Sequence, residues 1–163
     1  MIVKILRGIN INTLLDCYAK IEADIVWTEY GHKGKQTGLQ YKAGDEQWSS
    51  SVGKKTVDNE LIYNNLNLAF KDTEFEKIIN EYNIVRTRLM WVNPYACYSM
   101  HQDQTPRLHI PLITNSNCYF VVKHARPVNL AIGNIYRVET RVPHTFINCS
   151  EFSRLHFVGV LEK

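Results

Sequence analysis

Between Ile84 and Val160 the chain reads as eight short β-rich runs separated by turn residues, with no intervening stretch long enough for a helix. The runs are residues 84–92, 95–100, 107–113, 118–122, 128–130, 135–139, 144–148 and 153–160. Parallel neighbours need crossover connections of about a dozen residues or more, usually helical, and no gap here provides one. The pattern therefore predicts an antiparallel double-sheet jelly roll in preference to an α/β fold.

The first half has a different character. Leu14, Leu15, Tyr18, Ile21 and Ile25 recur at helical spacing and predict a short amphipathic helix over 12–24, behind an Asn or Thr cap. Residues 28–56 carry Gly31, Gly34, Gly38, Gly44 and Gly53 and read as loops with short strands. From Asp58 to Tyr82 the apolar spacing predicts helical segments broken near 71–73, the second capped by Asp72 or Thr73. A length of 163 residues suits one domain over 1–163, with a helical, loop-rich part at 1–83 and a β core at 84–163. The expected class is mainly β with N-terminal helices.

Composition excludes several functions. Hydrophobic residues at 45% and charged residues at 21% argue against disorder. No apolar run approaches the ~20 residues of a membrane span, so no membrane partner is expected. MIVKILRGINI lacks a signal peptide's apolar stretch and cleavage site, which predicts a cytoplasmic protein with Cys17, Cys97, Cys118 and Cys149 reduced. A net charge of +3, with only short basic runs at Lys33, Lys35, Lys54 and Lys55, predicts no nucleic-acid partner.

The chemistry-bearing residues lie in the β-rich half. His101 and Asp103 are two residues apart, so an extended backbone directs both to one face. His144, opening a later run, is the natural third member: two histidines and a carboxylate occupy one face of an octahedron and leave positions for co-substrate and oxygen. A hydrogen-bonded His–Asp pair explains His101 and Asp103 equally well taken alone, and His109 is an alternative ligand to His101. Arg154 and His156 share one face of a strand, with Leu155 and Phe157 on the other. A guanidinium facing an apolar interior needs an anion, either an Asp or Glu of the chain or the carboxylate of a dicarboxylate co-substrate. Arg107-Leu108-His109 repeats the pattern and suggests a second anion-contacting pair. His32 and His124 read as surface residues.

In order along the chain these residues form Tyr98-x-x-His101-x-Asp103, Arg107-x-His109-Ile-Pro-Leu-x-Thr114-Asn115, Gly133, His144-x-x-x-Asn148 and Arg154-x-His156. The set resembles the aspartyl/asparaginyl β-hydroxylase family of Fe(II)- and 2-oxoglutarate-dependent oxygenases, whose relatives include bacterial proline hydroxylases. The resemblance spans roughly 88–160. It implies a double-stranded β-helix of cupin-like form, with Fe(II) held by His101, Asp103 and His144. It further implies that Arg154 binds the distal carboxylate of 2-oxoglutarate and that Arg107 and His109 lie near its chelating end. Some animal members have glycine in place of the carboxylate ligand; with Asp103 this chain looks closer to the bacterial small-molecule branch. The implied activity is hydroxylation of an unactivated C–H of an amino acid, peptide or protein side chain with molecular oxygen. Trp27, Gln40, Tyr41 and Trp48 are loop candidates for substrate contact. The alternative is a non-catalytic metal-binding cupin-like module, against which the two arginine-bearing strands count. Asn148 has a second role open to it, closing a turn or strand end.

Overall fold

The structure, a computed structural model, describes residues 1–53 and 57–162; Lys54 and Lys55 lie outside the described residues. Its elements in chain order are β1 (Val3–Gly8), α1 (Ile11–Ile21), β2 (Thr28–Glu29), β3 (Gly34–Gly38), β4 (Gln40–Tyr41), β5 (Asn65–Leu66), α2 (Glu74–Tyr82), β6 (Val85–Val92), β7 (Ala96–Cys97), β8 (Arg107–Ile113), β9 (Cys118–Val122), β10 (Asn134–Val138), β11 (His144–Asn148) and β12 (Arg154–Val160). Every pairing among the described strands is antiparallel. A seven-stranded sheet runs β1-β10-β8-β12-β6-β3-β2, facing a smaller sheet β7-β11-β9, with β4-β5 a separate ribbon.

The period-two reading of the central strands holds. Leu108, Ile110, Leu155 and Phe157 are fully buried in the larger hydrophobic core, beneath Leu14 of α1 and Phe75 and Ile78 of α2. Phe75 meets Phe157 edge-on at 5.3 Å and Phe70 at 5.8 Å. His109 and His156 come together off that core, ring centroids 5.8 Å apart. One face of the large sheet is thus sealed by helices, leaving the other to line the space between the sheets. A second, smaller cluster of Phe120, Val122, Leu130, Tyr136 and Val138 packs separately from the larger core, with Phe120 5.4 Å from the ring of His144.

Local differences from the sequence reading have physical causes. The cap of α1 is Asn10, whose side chain accepts from Asn12 N–H at 3.1 Å, and the segment beyond Ile21 tightens into a 3-10 turn. Residues 58–73 form two 3-10 turns, each capped by an asparagine, Asn59 and Asn67. Thr73 sits at the cap position of α2 without capping it; its hydroxyl donates to Phe70 O instead. Residues 128–130 make a single bridge, Val128 to Phe120, not a strand. β1 was not foreseen, because its register slips between Ile5 and Arg7 and so erases the alternation that would reveal it. With β2 and β3 it brings the first half of the chain into the same sheet as the second.

Two backbone features shape the cavity wall. Gly34 opens β3 at φ +144°, where a Cβ would stand 2.1 Å from Trp91 O, so only glycine lets β3 approach β6. On β6, Arg86 adopts φ +52° at a register shift against β12, where Val158 pairs with Arg88 and Val160 with Val85. Arg86 and Arg88 both line the inter-sheet cavity.

Candidate metal centre

His101 and His144 lie opposite each other in an antiparallel bridge, exchanging backbone hydrogen bonds of 3.0 and 2.8 Å. Their ring centroids are consequently 4.4 Å apart, the planes tilted by 52°. Asp103 is pinned two residues on, its N–H donating to Thr140 O at 2.8 Å. The chain thereby brings one donor atom from each of His101, Asp103 and His144 within 4.8 Å of one another. His101 Nε2 is 3.9 Å from Asp103 Oδ1, and His144 Nε2 is 3.8 Å from Asp103 Oδ2.

The tautomers are set by the backbone. His101 Nδ1 lies 2.8 Å from Ser99 O and His144 Nδ1 2.9 Å from Val142 O. A carbonyl only accepts, so both Nδ1 atoms carry a proton, which leaves Nε2 of each ring, on the Asp103 side, as the atom available to a metal. Burial pushes His144 below its ordinary value, against the raising influence of Val142 O and Asp103. Two imidazole nitrogens and a carboxylate converging on one point are a donor set that fits a divalent transition metal.

Asp103 is oriented from behind. Arg107 Nε lies 3.2 Å from its Oδ2, while Arg107 Nη2 donates to Glu60 Oε1 at 2.7 Å. Glu60 also accepts from Arg86 Nη1 at 2.8 Å and from Thr105 Oγ1 at 2.5 Å, and the hydroxyl of Thr105 in turn meets Arg107 Nη1. Burial works to raise Glu60, but Arg107, Thr105 and Arg86 together hold it below the usual carboxylate range. Arg107 therefore spends its fork on two carboxylates of the chain.

His109 lines the cavity and is kept neutral: burial first, then Arg154 and His144, depress it well below its ordinary value. Arg154 is 2% exposed, stands over the Phe146 ring at 4.6 Å and contacts His156 at 3.0 Å, with no carboxylate partner among the described residues. Burial lowers it to about 10. Arg154 does not itself line the cavity; Phe146 does. His32 and His124 are exposed. Asn148 is structural, its amide donating to Val92 O, Asn93 O and Phe152 O while Oδ1 accepts from Ser150.

The cavity has a volume of about 220 Å³, with His101, Asp103 and His144 in its wall. None of the four aromatic and glutamine residues singled out for substrate contact reaches it. Trp48 packs against Phe70 in the core, Trp27 lies under Lys35, Tyr41 pairs in the β4-β5 ribbon, and Gln40 is consumed by Thr87 and Ile84 O. The cavity is lined instead by Tyr30, Gln36, Arg86, Arg88 and Tyr98. The alternation Arg86-Thr87-Arg88 within a β-rich run was a readable signal for the two arginines, by the same logic as Arg154. Glu60 had none, since it meets Arg86 and Arg107 only through the tertiary fold.

An antiparallel jelly roll with a two-histidine, one-carboxylate cluster between its sheets defines the class: a cupin-like fold with a candidate metal site. Comparison with solved structures agrees at the level of fold. The chain is similar to an oxidoreductase of the 2OG-Fe(II) oxygenase family from Burkholderia pseudomallei, with TM-score 0.56 and 16% identity over 90% of this chain and 76% of that one. It is similar also to the DMSP lyase DddQ of Ruegeria pomeroyi, with TM-score 0.54 and 10% identity over 97% and 67%. A cupin domain from Bordetella pertussis aligns over 47% of this chain and 80% of its own, at 15% identity and TM-score 0.42. No protein-family model and no curated protein matches the sequence. Among the described residues no helix is long and apolar enough to cross a membrane.

Proposed function

We propose that the chain is an Fe(II)- and 2-oxoglutarate-dependent dioxygenase that hydroxylates an unactivated C–H of an amino acid, peptide or protein side chain. The observation that carries this reading is the convergence of His101 Nε2, His144 Nε2 and an Asp103 oxygen at the wall of a cavity, with both histidine tautomers set by backbone carbonyls. Three ligands on one side of an ion leave the positions that a bidentate keto acid and oxygen need. When bound, Fe(II) and 2-oxoglutarate supply the oxidising chemistry, in which the keto acid is converted to succinate and carbon dioxide as oxygen is inserted into the substrate.

The chain's own residues do the rest. His101, Asp103 and His144 would hold the ion, while Arg107 keeps the Asp103 carboxylate aimed and Glu60 balances its charge. Arg154, buried behind Phe146 with no carboxylate partner among the described residues, would anchor the distal carboxylate of 2-oxoglutarate. His109 offers an uncharged ring in the cavity wall, its Nδ1 without a partner among the described residues, where it would meet the chelating end of the co-substrate. Phe146 and Phe120, 4.9 Å apart, keep water from the space beside His144. The unpartnered polar groups in the cavity favour this reading over a non-catalytic metal-binding module, because a closed module has no use for them.

The test is anaerobic addition of Fe(II) and 2-oxoglutarate to purified protein, which is expected to produce the weak visible band of a keto acid chelated to iron. Asp103→Ala should keep the native circular dichroism spectrum while losing the band and turnover. Folded wild-type protein with neither a band nor co-substrate binding would overturn the oxygenase reading.

A further inference from the structure

Arg154 and the metal centre lie on two sides of one aromatic ring. Phe146 lines the cavity whose wall carries His101, Asp103 and His144, and Arg154 does not. The guanidinium carbon of Arg154 stands over that ring, 4.6 Å from its centroid. Carbon atoms in contact are already about 3.5–4.0 Å apart, so no carboxylate fits between the two side chains. A carboxylate on the guanidinium needs N···O distances of about 2.7–2.9 Å, and coming from the cavity it would have to take the place of the ring.

The group under the ring is prepared for an anion. Arg154 is 2% exposed, and its Nε has no hydrogen-bond partner among the described residues. Its Nη1 meets the two ring nitrogens of His156 at 3.0 and 3.1 Å, and burial holds that histidine well below its ordinary value, so it brings no negative charge. The negative face of the Phe146 ring stands where a counter-charge would. A cation–π contact is weaker than a charge-assisted bidentate pair, so an entering carboxylate has the differential affinity needed to displace the ring.

The ring can move while its strand stays. Phe146 pairs with Phe120 across β11 and β9, and its carbonyl accepts from Tyr98 N–H at 3.3 Å, which fixes the backbone. Its side chain is only partly buried, whereas Phe120 beside it is 1% exposed. The neighbouring rings meet it tilted or edge-on, Phe120 at 4.9 Å, His109 at 4.8 Å and His156 at 5.8 Å. A change of staggered rotamer about the Cα–Cβ bond therefore suffices to uncover Arg154.

We propose that Phe146 is the gate to Arg154, its ring capping the guanidinium in the conformation described and turning aside along the cavity wall when a carboxylate is to reach it. The identity of that carboxylate, the distal one of 2-oxoglutarate, rests on the oxygenase reading; the gate itself does not. A keto acid with a distal carboxylate has to open the gate to bind. Pyruvate, which has the chelating end alone, does not, so Phe146 governs how the site distinguishes the two.

The gate is tested by NMR on the metal-free protein, following solvent exchange of the Arg154 Nε–H, assigned by its loss in Arg154→Lys. Phe146→Ala should speed that exchange about tenfold or more, as expected when a minor open state becomes the dominant one. The Nε–H of Arg88, also buried and in the wall of the same cavity, should keep its wild-type rate. Calorimetry on the Zn(II)-loaded protein should show 2-oxoglutarate bound about tenfold or more tightly by Phe146→Ala than by the wild type, with pyruvate affinity unchanged. If Phe146→Ala does not fold, Phe146→Leu, which keeps most of the packing and loses the negative ring face, is expected to shift both quantities in the same directions. Unchanged Arg154 exchange in a folded variant, equal acceleration at Arg88, or equal or weaker binding of 2-oxoglutarate by the variant would overturn the gate. Selective acceleration at Arg154 with no 2-oxoglutarate binding by either protein keeps the gate and removes the oxygenase reading. Binding of 2-oxoglutarate with Arg154 exchange unchanged does the reverse.

Discussion

Glu60 accepts from Arg86 and Arg107 at 2.8 and 2.7 Å, and Arg107 in turn holds Asp103 at 3.2 Å, so charge is matched residue by residue behind the metal centre. Beyond that network stand two guanidiniums with no carboxylate partner among the described residues, Arg88 and Arg154. Arg154→Lys keeps the charge and loses the planar fork. The expected result is a strongly raised 2-oxoglutarate requirement, corresponding to about 2–5 kcal/mol of binding, with Fe(II) affinity and melting temperature little changed. A lowered melting temperature with unaltered keto-acid affinity would instead make Arg154 a packing residue. The buried histidines make a pH prediction. Burial holds His109 and His156 well below 6.5 in the folded protein, so they bind fewer protons folded than unfolded. The stability they contribute is complete above about pH 6.5 and drains as pH falls through that value, by up to about 1.4 kcal/mol per pH unit for each. Glu60, also depressed, acts only in the lower window where an unfolded glutamate titrates, near its ordinary 4.5. Urea unfolding between about pH 7 and pH 5 should therefore show a falling stability whose slope is reduced in His156→Gln.

Strand alternation decides which side chains the cavity receives. On β8 and β12 the odd-even pattern sends Leu108, Ile110, Leu155 and Phe157 to the helices, and Arg107 and His109 to the cavity wall. On β6 Arg86 sits at a bulge, and it and Arg88 both line the cavity. β3 completes that wall with Gln36, and its approach to β6 depends on Gly34. Gly34→Ala would drive a Cβ into Trp91 O at φ +144°, a backbone conformation that alanine avoids. It should destabilise the protein by more than about 1 kcal/mol in urea unfolding. Amides of β3 should also lose hydrogen-exchange protection before those of β8 and β12. Equal loss across the sheet would mean that β3 is not a separable edge of it.

At the scale of the molecule, strands from both halves of the chain share one sheet, in the order β1-β10-β8-β12-β6-β3-β2. Removing residues 1–83 would expose the edges of β10 and β6 and strip α1 and α2 from Leu108, Ile110, Leu155 and Phe157. A fragment of residues 84–163 should accordingly lack a cooperative thermal transition and dispersed amide resonances. A folded, metal-binding fragment would show that the β-rich half is self-sufficient.

The class of the fold and the metal-site candidates were legible in the sequence because both rest on short-range rules. Alternation with period two put His101 beside Asp103, Arg107 beside His109 and Arg154 beside His156, and short gaps between the β-rich runs excluded parallel crossovers. The pairing of His101 with His144 was inferred from chemistry, and the bridge between them is a product of the fold. What escaped the sequence depends on contacts between distant segments. Glu60 reaches Arg86 and Arg107 from an irregular stretch, Tyr30 and Gln36 join the wall of the same cavity from the first half, and Trp48, which looked available, is buried against Phe70. A polar or aromatic residue in a glycine-rich segment has no periodicity to say which way it faces. Packing decides that, and with it which buried charges are matched within the chain and which are left for a ligand.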